Sequence, residues 1–301
     1  MKKVKKLSAT IGIPAYNEEA NIISLLSDIL SQKETNFSLT KIIVVSDAST
    51  DNTDKLILSF KDKRISFIRN KVRSGQIYCQ NKIFALTNTD IIILLEADTK
   101  AKDRNYISNL IKPLMDDPTI GYLQGNEQPL LPRNFFESVF YSQFKVFYNL
   151  NVNNEMVTKW FCSGRGGRAF TKQVYKHLNW PFQVPEDSYA LLWCKMNKIK
   201  WVFQKNAIRF YRGPQTFGDL IKINRKLKSG EQALLSYFSQ KDINNVYHVP
   251  RLSYLKTSFQ FLIRYPLKFT IYLFINKFLG VFLFTGEFTD LLPTAQTTKV
   301  L

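Results

Sequence analysis

A chain of 301 residues, 45% of them hydrophobic and 14% aromatic, can bury a sizeable core as one large α/β domain with additions or as two small domains. Its 42 Lys and Arg against 24 Asp and Glu leave a formal charge of +18, which calls for an anionic partner: nucleic acid, acidic lipid headgroups or a phosphorylated substrate. Cys79, Cys162 and Cys194 are far apart and odd in number, and His177 and His248 are the only histidines, so a disulfide framework, a zinc site and a histidine-based triad all lack their residues.

The basic start, MKKVKK, is followed by an apolar run too short and broken for a signal peptide and is read as a lead into a first strand. Residues 7–13 (LSATIGI) form that strand, ended by Pro14. The polar stretch Asn17–Asn21 then opens a helix whose Ile22, Ile23, Leu25, Leu26, Ile29 and Leu30 recur at helical spacing and give one buried face. Residues 41–45 (KIIVV) read as a second strand running into the polar loop Ser46–Asp54, residues 65–68 as a third, 76–86 as a helix and Ile91–Leu95 as a fourth strand. Strand and helix alternate at the interval of βαβ units, which argues for a parallel sheet covered on both faces.

The regularity fades after Pro118. Ile120–Gln124 and Trp201–Phe203 read as short strands, and Asn134–Val152 as an aromatic-rich helix. Gly164, Gly166 and Gly167 crowd the stretch CSGRGGRAF without the spacing of a dinucleotide or phosphate loop. Pro185-Glu186-Asp187-Ser188 leads a further helix, and a basic helical stretch covers Phe217–Phe238. From about Arg251 the chain is rich in Phe, Leu, Ile and Tyr, but its charge-free runs, Phe269–Asn276 and Phe278–Gly286, are each too short to span a bilayer. This tail reads as one or two amphipathic helices lying on an anionic membrane surface, with a helix packed on the preceding domain or part of an oligomer interface as the alternatives.

The chain is organised around IIILLEADT, Ile91–Thr99. Five apolar residues run directly into Glu96-Ala97-Asp98, and ligands of open α/β sheets bind outside the carboxyl ends of the strands. Two carboxylates there suit a divalent cation carrying phosphate. Taken alone, the same residues also suit a solvated turn in which Asp98 caps a helix, just as Asp187 alone suits a helix cap.

The ordered set IGIPAYNEEANI, IIVVSDASTDNT, IIILLEADT and PEDSYALLWCKMNKIKWVF resembles the family 2 inverting glycosyltransferases of GT-A fold, over about residues 7–235. The resemblance implies a nucleotide loop at Pro14, Tyr16 and Glu18 that packs around base and ribose, and a base contact at Asp47, with Ser46 replacing the family's first acidic residue there. It puts Glu96 and Asp98 at the DxD position, where Asp98 binds the metal–diphosphate. Arg73 and Gly75 match an Arg-x-Gly-Lys element whose lysine is Gln76 here. Gly164 and Arg168 match the Gly-rich stretch before the acceptor site. Glu186-Asp187 matches the ED motif, whose Asp is the catalytic base. The family's processive members carry Gln-x-x-Arg-Trp, and INRKLKSG (Ile223–Gly230) lacks its Gln and Trp. Beyond the motifs, Arg209, Arg212, Lys222, Arg225, Lys226 and Lys228 are candidates to approach a diphosphate or lipid phosphate, or form a solvated basic face.

The expected architecture is α/β: a GT-A, Rossmann-like, mostly parallel sheet flanked by helices over residues 1–245, and an amphipathic, membrane-associating helical tail over 246–301. The expected function is a metal-dependent, inverting glycosyltransferase of hexosyltransferase type. It uses a nucleotide-diphosphate sugar, a divalent Mg or Mn ion and a lipid-linked or cell-surface glycan acceptor, at the cytoplasmic face of the cell membrane, with no nucleic-acid partner. The rival is a non-catalytic basic module that binds anionic lipid or nucleic acid, which leaves the strand-end carboxylates without a purpose.

Overall fold

The computed structural model describes residues 6–153, 166–247, 250–275 and 296–301. The first half alternates as expected: β1 (Leu7–Ala15), α1 (Ile22–Leu30), β2 (Phe37–Ser46), α2 (Thr53–Leu58), β3 (Ile65–Arg69), α3 (Gln76–Leu86) and β4 (Ile91–Leu94). The second half runs β5 (Thr99–Ala101), α4 (Tyr106–Ile111), α5 (Pro113–Asp116), β6 (Ile120–Pro129), α6 (Phe135–Asn153), β7 (Arg168–Thr171), α7 (Lys172–Tyr175) and α8 (Glu186–Met196). It continues with β8 (Lys200–Tyr211), α9 (Phe217–Leu234), α10 (Gln240–Val246), α11 (Arg251–Arg264), α12 (Pro266–Leu273) and a 3-10 turn at Gln296–Lys299.

The eight strands form one sheet in the order β3-β2-β1-β4-β7-β6-β8-β5. β3, β2, β1 and β4 are mutually parallel, as are β6 and β8, whereas β7 runs antiparallel to both its neighbours and β5 antiparallel to β8. The continuous apolar runs are explained by the two faces they serve. Ile42, Val44, Ile91 and Ile93 enter one core with Leu25, Leu26 and Ile29 of α1, while Ile43, Val45, Ile92 and Leu94 enter the other with Ile77 and Ile83 of α3 and Leu191 and Leu192 of α8. Gly12 lets α3 sit close to β1, since a Cβ there would lie 2.5 Å from Ile83 Cγ2.

Several boundaries differ from the sequence expectation. Pro14 does not end β1, because β4 pairs only as far as Gly12, so the side of the strand that lacks an N–H at Pro14 has no ladder left to serve. β6 and β8 run well beyond their apolar segments. β6 continues through Gln124, Asn126 and Gln128, which are buried and polar, and β8 passes a register break opposite Gly125/Asn126 before Ala207, Arg209 and Tyr211 turn inward. β5, three residues long, carries no periodicity to find. Arg209 and Arg212 are not phosphate-facing: both are buried, Arg209 held by Thr99 and Arg212 by Glu137 (3.0 Å) and the Leu131 carbonyl (2.9 Å).

At the far end, α11 and α12 pack on α6 through Phe261, Phe269 and Tyr272 against Val146 and Phe147. Among the described residues no helix is long and apolar enough to cross a membrane. The run Phe278–Gly286, Cys162 and Gly164 lie outside the described residues. Cys79 and Cys194 are buried free thiols whose pKa burial pushes up to about 12, consistent with inert core residues.

Candidate active site

The carboxyl ends of β1, β2 and β4 lie side by side, and each emits a loop carrying an acidic residue. The first two loops are zipped together. Asn17 Nδ2 donates to Thr50 Oγ1 (3.2 Å) and Thr50 N to Asn17 Oδ1 (2.8 Å), while Glu18 N donates to Thr53 Oγ1 (2.7 Å). Asn17 (φ 53°) and Ala48 (φ 58°) both adopt the left-handed region, a strained conformation that the loop-to-loop bonds hold beside Glu18 and Asp47. Arg73 stacks its guanidinium over the Tyr16 ring at 4.1 Å.

Asp47 is buried, and its carboxylate is committed to the neighbouring loop. Oδ1 accepts from Asn70 Nδ2 (2.9 Å) and Ser74 N (2.8 Å), and Oδ2 from Gly75 N (2.8 Å). Gly75 has φ 91°, which favours glycine, and it opens α3. Asp47 therefore fixes the segment that presents Arg73.

After β4 the chain makes a tight turn through Glu96 and Asp98, and β5 starts at once, so Asp98 caps no helix. Thr99 Oγ1 donates to the Glu96 carbonyl (2.8 Å). Arg209 locks Thr99 from beneath, Nε donating to its Oγ1 (2.8 Å) and Nη2 to its carbonyl (2.7 Å), with Asp28 as ionic partner at 3.6 Å. Asp98 is half-buried, and its carboxylate makes no hydrogen bond or ion pair among the described residues. Burial, and then the nearby charge of Asp98, push Glu18 up to about 7. Glu18 and Asp98 repel each other, and a divalent cation between them relieves that repulsion. Among the described residues no group of three acidic, His or Cys side chains forms a complete metal cage. The donor set fits an ion such as Mg, which is held by one or two carboxylates and completed by substrate phosphates.

The second acidic pair faces this turn from the first turn of α8, whose N-cap is Pro185, so Asp187 is not the helix cap. Glu186 Oε1 accepts from Gln76 Nε2 (2.8 Å) and from the buried Arg168 Nη2 (3.3 Å). Gln76 is thus turned toward the acid pair. Arg168, on β7, feels the charges of Glu186, Asp187 and Glu96, and so links the two acidic groups electrostatically. Burial first, then Glu186, raise Asp187 to about 6, and Arg168 and Lys226 of α9 act against the shift. A carboxyl group poised there is ionised at neutral pH and close in basicity to what proton abstraction from a hydroxyl needs.

Pro14, Tyr16, Glu18, Asp47, Arg73, Gly75, Glu96 and Asp98 surround the sheet's carboxyl edge, and Arg168, paired with Leu94 at the end of β4, joins that edge to Glu186 and Asp187. Sequence reasoning missed Asn70, Thr99 and Lys299, and offered Arg209 only as a cation for a phosphate. The one local signal among them is the inward alternation Ala207, Arg209, Tyr211. Lys299 is the least expected: its ammonium binds the Tyr16 carbonyl and Glu18.

The sequence profile of glycosyl transferase family 2 matches residues 10–178, more than half of the chain. The UDP-Glc:α-D-GlcNAc-diphosphoundecaprenol β-1,3-glucosyltransferase WfgD of Escherichia coli is 27% identical over 192 residues, covering 63% of this chain and 69% of that enzyme. Poly-β-1,6-N-acetyl-D-glucosamine synthase of Staphylococcus aureus is 29% identical over 118 residues, 39% of this chain but only 28% of the synthase. Among solved structures, the mannosyltransferase PcManGT of Pyrobaculum calidifontis, in complex with GDP-Man and Mn2+, superposes with a TM-score of 0.60 at 17% identity over 89% of this chain and 74% of that one. At that identity the likeness is one of fold.

Proposed function

Because the chain belongs to glycosyl transferase family 2, we propose that it carries a sugar from a nucleotide-diphosphate donor to a hydroxyl of a lipid-linked or cell-surface glycan acceptor, with inversion and with a divalent Mg or Mn ion. The observation that carries this reading is Arg168, which feels the charge of Glu96 in the turn after β4 and of Glu186 and Asp187 in the first turn of α8, and so ties the turn that presents Asp98 to the second acidic pair.

Tyr16, Arg73 and the backbone of residues 14–18 receive the nucleoside. Asp47 keeps Arg73 and Gly75 in place, and Arg209 with Thr99 holds the turn that presents Glu96 and Asp98. A cation bound at Asp98 would supply charge neutralisation to the leaving diphosphate. Asp187 takes the proton of the acceptor hydroxyl as that oxygen attacks the anomeric carbon from the side away from the diphosphate, and a single displacement inverts the centre. Glu186 is held by Gln76 and Arg168, leaving Asp187 as the base.

A lipid-linked acceptor accords with the tail from residue 246 and with the diphosphoundecaprenol-linked substrate in the name of the WfgD relative. Leu252, Leu255, Phe259, Ile263 and Leu267 are 62–82% exposed and form an outward ridge on α11 and the start of α12, flanked by Arg251, Lys256 and Arg264. We take this ridge to rest on the anionic cytoplasmic face of the cell membrane. Co-sedimentation with phosphatidylglycerol vesicles tests it. The wild type should pellet and the double variant Phe259→Glu/Ile263→Glu should not, whereas equal recovery of both would refute the assignment.

Transfer itself is tested with UDP-, GDP- and dTDP-sugars, Mn2+ and a polyprenyl-diphosphate-linked sugar, following nucleotide release and lipid product. Asp187→Asn should bind donor and fail to transfer. Transfer by this variant at close to the wild-type rate would assign the base elsewhere.

A further inference from the structure

We propose that the segment Gln296–Leu301 is a latch on the nucleoside loop, and that its Lys299 ammonium occupies a three-oxygen cradle which a bound donor must empty. The inference rests on the reading of residues 14–18 as the nucleoside loop. Lys299 Nζ donates to the Tyr16 carbonyl (2.6 Å), to Glu18 Oε1 (2.9 Å) and to the Asn17 carbonyl (3.3 Å), and it lies 5.7 Å from the centre of the Tyr16 ring. Those contacts use all three N–H bonds of the ammonium. None is left for a phosphate, so in this state Lys299 does not serve as a donor ligand. Its own carbonyl accepts from Asn21 Nδ2, Thr298 is buried, and Arg133 Nη2 donates to the Leu301 carbonyl (3.2 Å). The segment is therefore anchored at both ends of its contact with the loop.

The cradle selects a lysine. Two carbonyl oxygens and one carboxylate oxygen converge on a point, which suits a compact ammonium and not the planar fork of arginine. The three oxygens engaged belong to Tyr16, Asn17 and Glu18, within the stretch 14–18 that would meet base and ribose, and the Tyr16 ring is already covered by Arg73 at 4.1 Å. Nucleoside and Lys299 thus compete for one loop, and the segment sets the donor concentration at which the site opens.

The test is a titration of UDP and of GDP, each with Mn2+, into wild-type protein and Lys299→Ala. The latch predicts about three- to tenfold tighter binding by the variant, the factor regained when a site closed in about 70–90% of molecules is opened. Unchanged or weaker binding overturns it and would make Lys299 a bystander or a donor ligand. Trypsin cleavage after Lys299, in nucleotide-free protein and read by mass spectrometry, examines the contact itself. Cleavage should be slow in the wild type and faster in Glu18→Gln, and equal rates refute the latch. If protection holds but no nucleoside diphosphate binds either protein, the competition falls because the donor reading has fallen, while the contact stands.

Discussion

Replacing Asp47 with alanine strands three donors at once: Asn70 Nδ2, Ser74 N and Gly75 N. Asp47 is 4% and Asn70 5% exposed, so water reaches them poorly. Each buried donor left without a partner costs about 1–3 kcal/mol, and with some relaxation of the loop the sum is about 3–5 kcal/mol. For a chain of this size that lowers the Tm by about 6–10 °C. Asp47→Asn keeps an oxygen for Ser74 and Asn70 but turns an NH2 toward the Gly75 N–H, so about 1–3 kcal/mol is expected. Urea unfolding and thermal melts measure both, and a donor titration should show weaker binding as Arg73 loses its support. An Asp47→Ala protein melting within about 2 °C of wild type with unaltered donor affinity would refute the claim that this carboxylate builds the loop.

The raised pKa of Asp187, about 6, predicts that kcat/KM climbs as pH rises through that value, because only the ionised carboxylate accepts a proton. Arg168→Gln removes a charge that favours ionisation, so the rising limb should move to higher pH, and a limb that stays in place contradicts the electrostatic link. Asp98→Asn should lose metal-dependent donor binding but keep its Tm, since the carboxylate holds no other residue among the described ones; a destabilised fold would show that it does. Arg209→Met leaves the half-buried Asp28 without its ionic partner at 3.6 Å and the buried Thr99 without two donors. A loss of about 2–4 kcal/mol in urea unfolding is expected, and a change under about 1 kcal/mol would mean that the turn stands without Arg209.

The parallel half was legible because IIVV and IIIL are apolar on both faces, a pattern only a sheet covered on two sides explains. The extensions of β6 and β8 were not, because Gln124, Asn126 and Gln128 are polar residues satisfied by tertiary partners, as Asn126 is by the Lys205 carbonyl at 2.7 Å. Acidic residues at strand ends could be read in order along the chain. Their supports could not: Asn70 meets Asp47, Arg209 meets Thr99 and Gln76 meets Glu186 across 23, 110 and 110 positions, and no local signal encodes such pairs. Arg209 and Arg212 show the limit most clearly, since composition marks them as cations for a phosphate while the strand's alternation and the Glu137 carboxylate draw them inside.

Asp98 and its neighbours are proposed to bind a nucleotide-diphosphate sugar with a metal. Thermal melts of the wild type and Asp98→Asn against UDP-, GDP- and dTDP-sugars, with and without Mn2+, address this directly. One nucleotide class should stabilise the wild type only when Mn2+ is present, by about 2.7 kcal/mol at a hundredfold excess over Kd, and should leave Asp98→Asn unmoved. Stabilisation that ignores the metal, or is equal in the variant, would contradict the account.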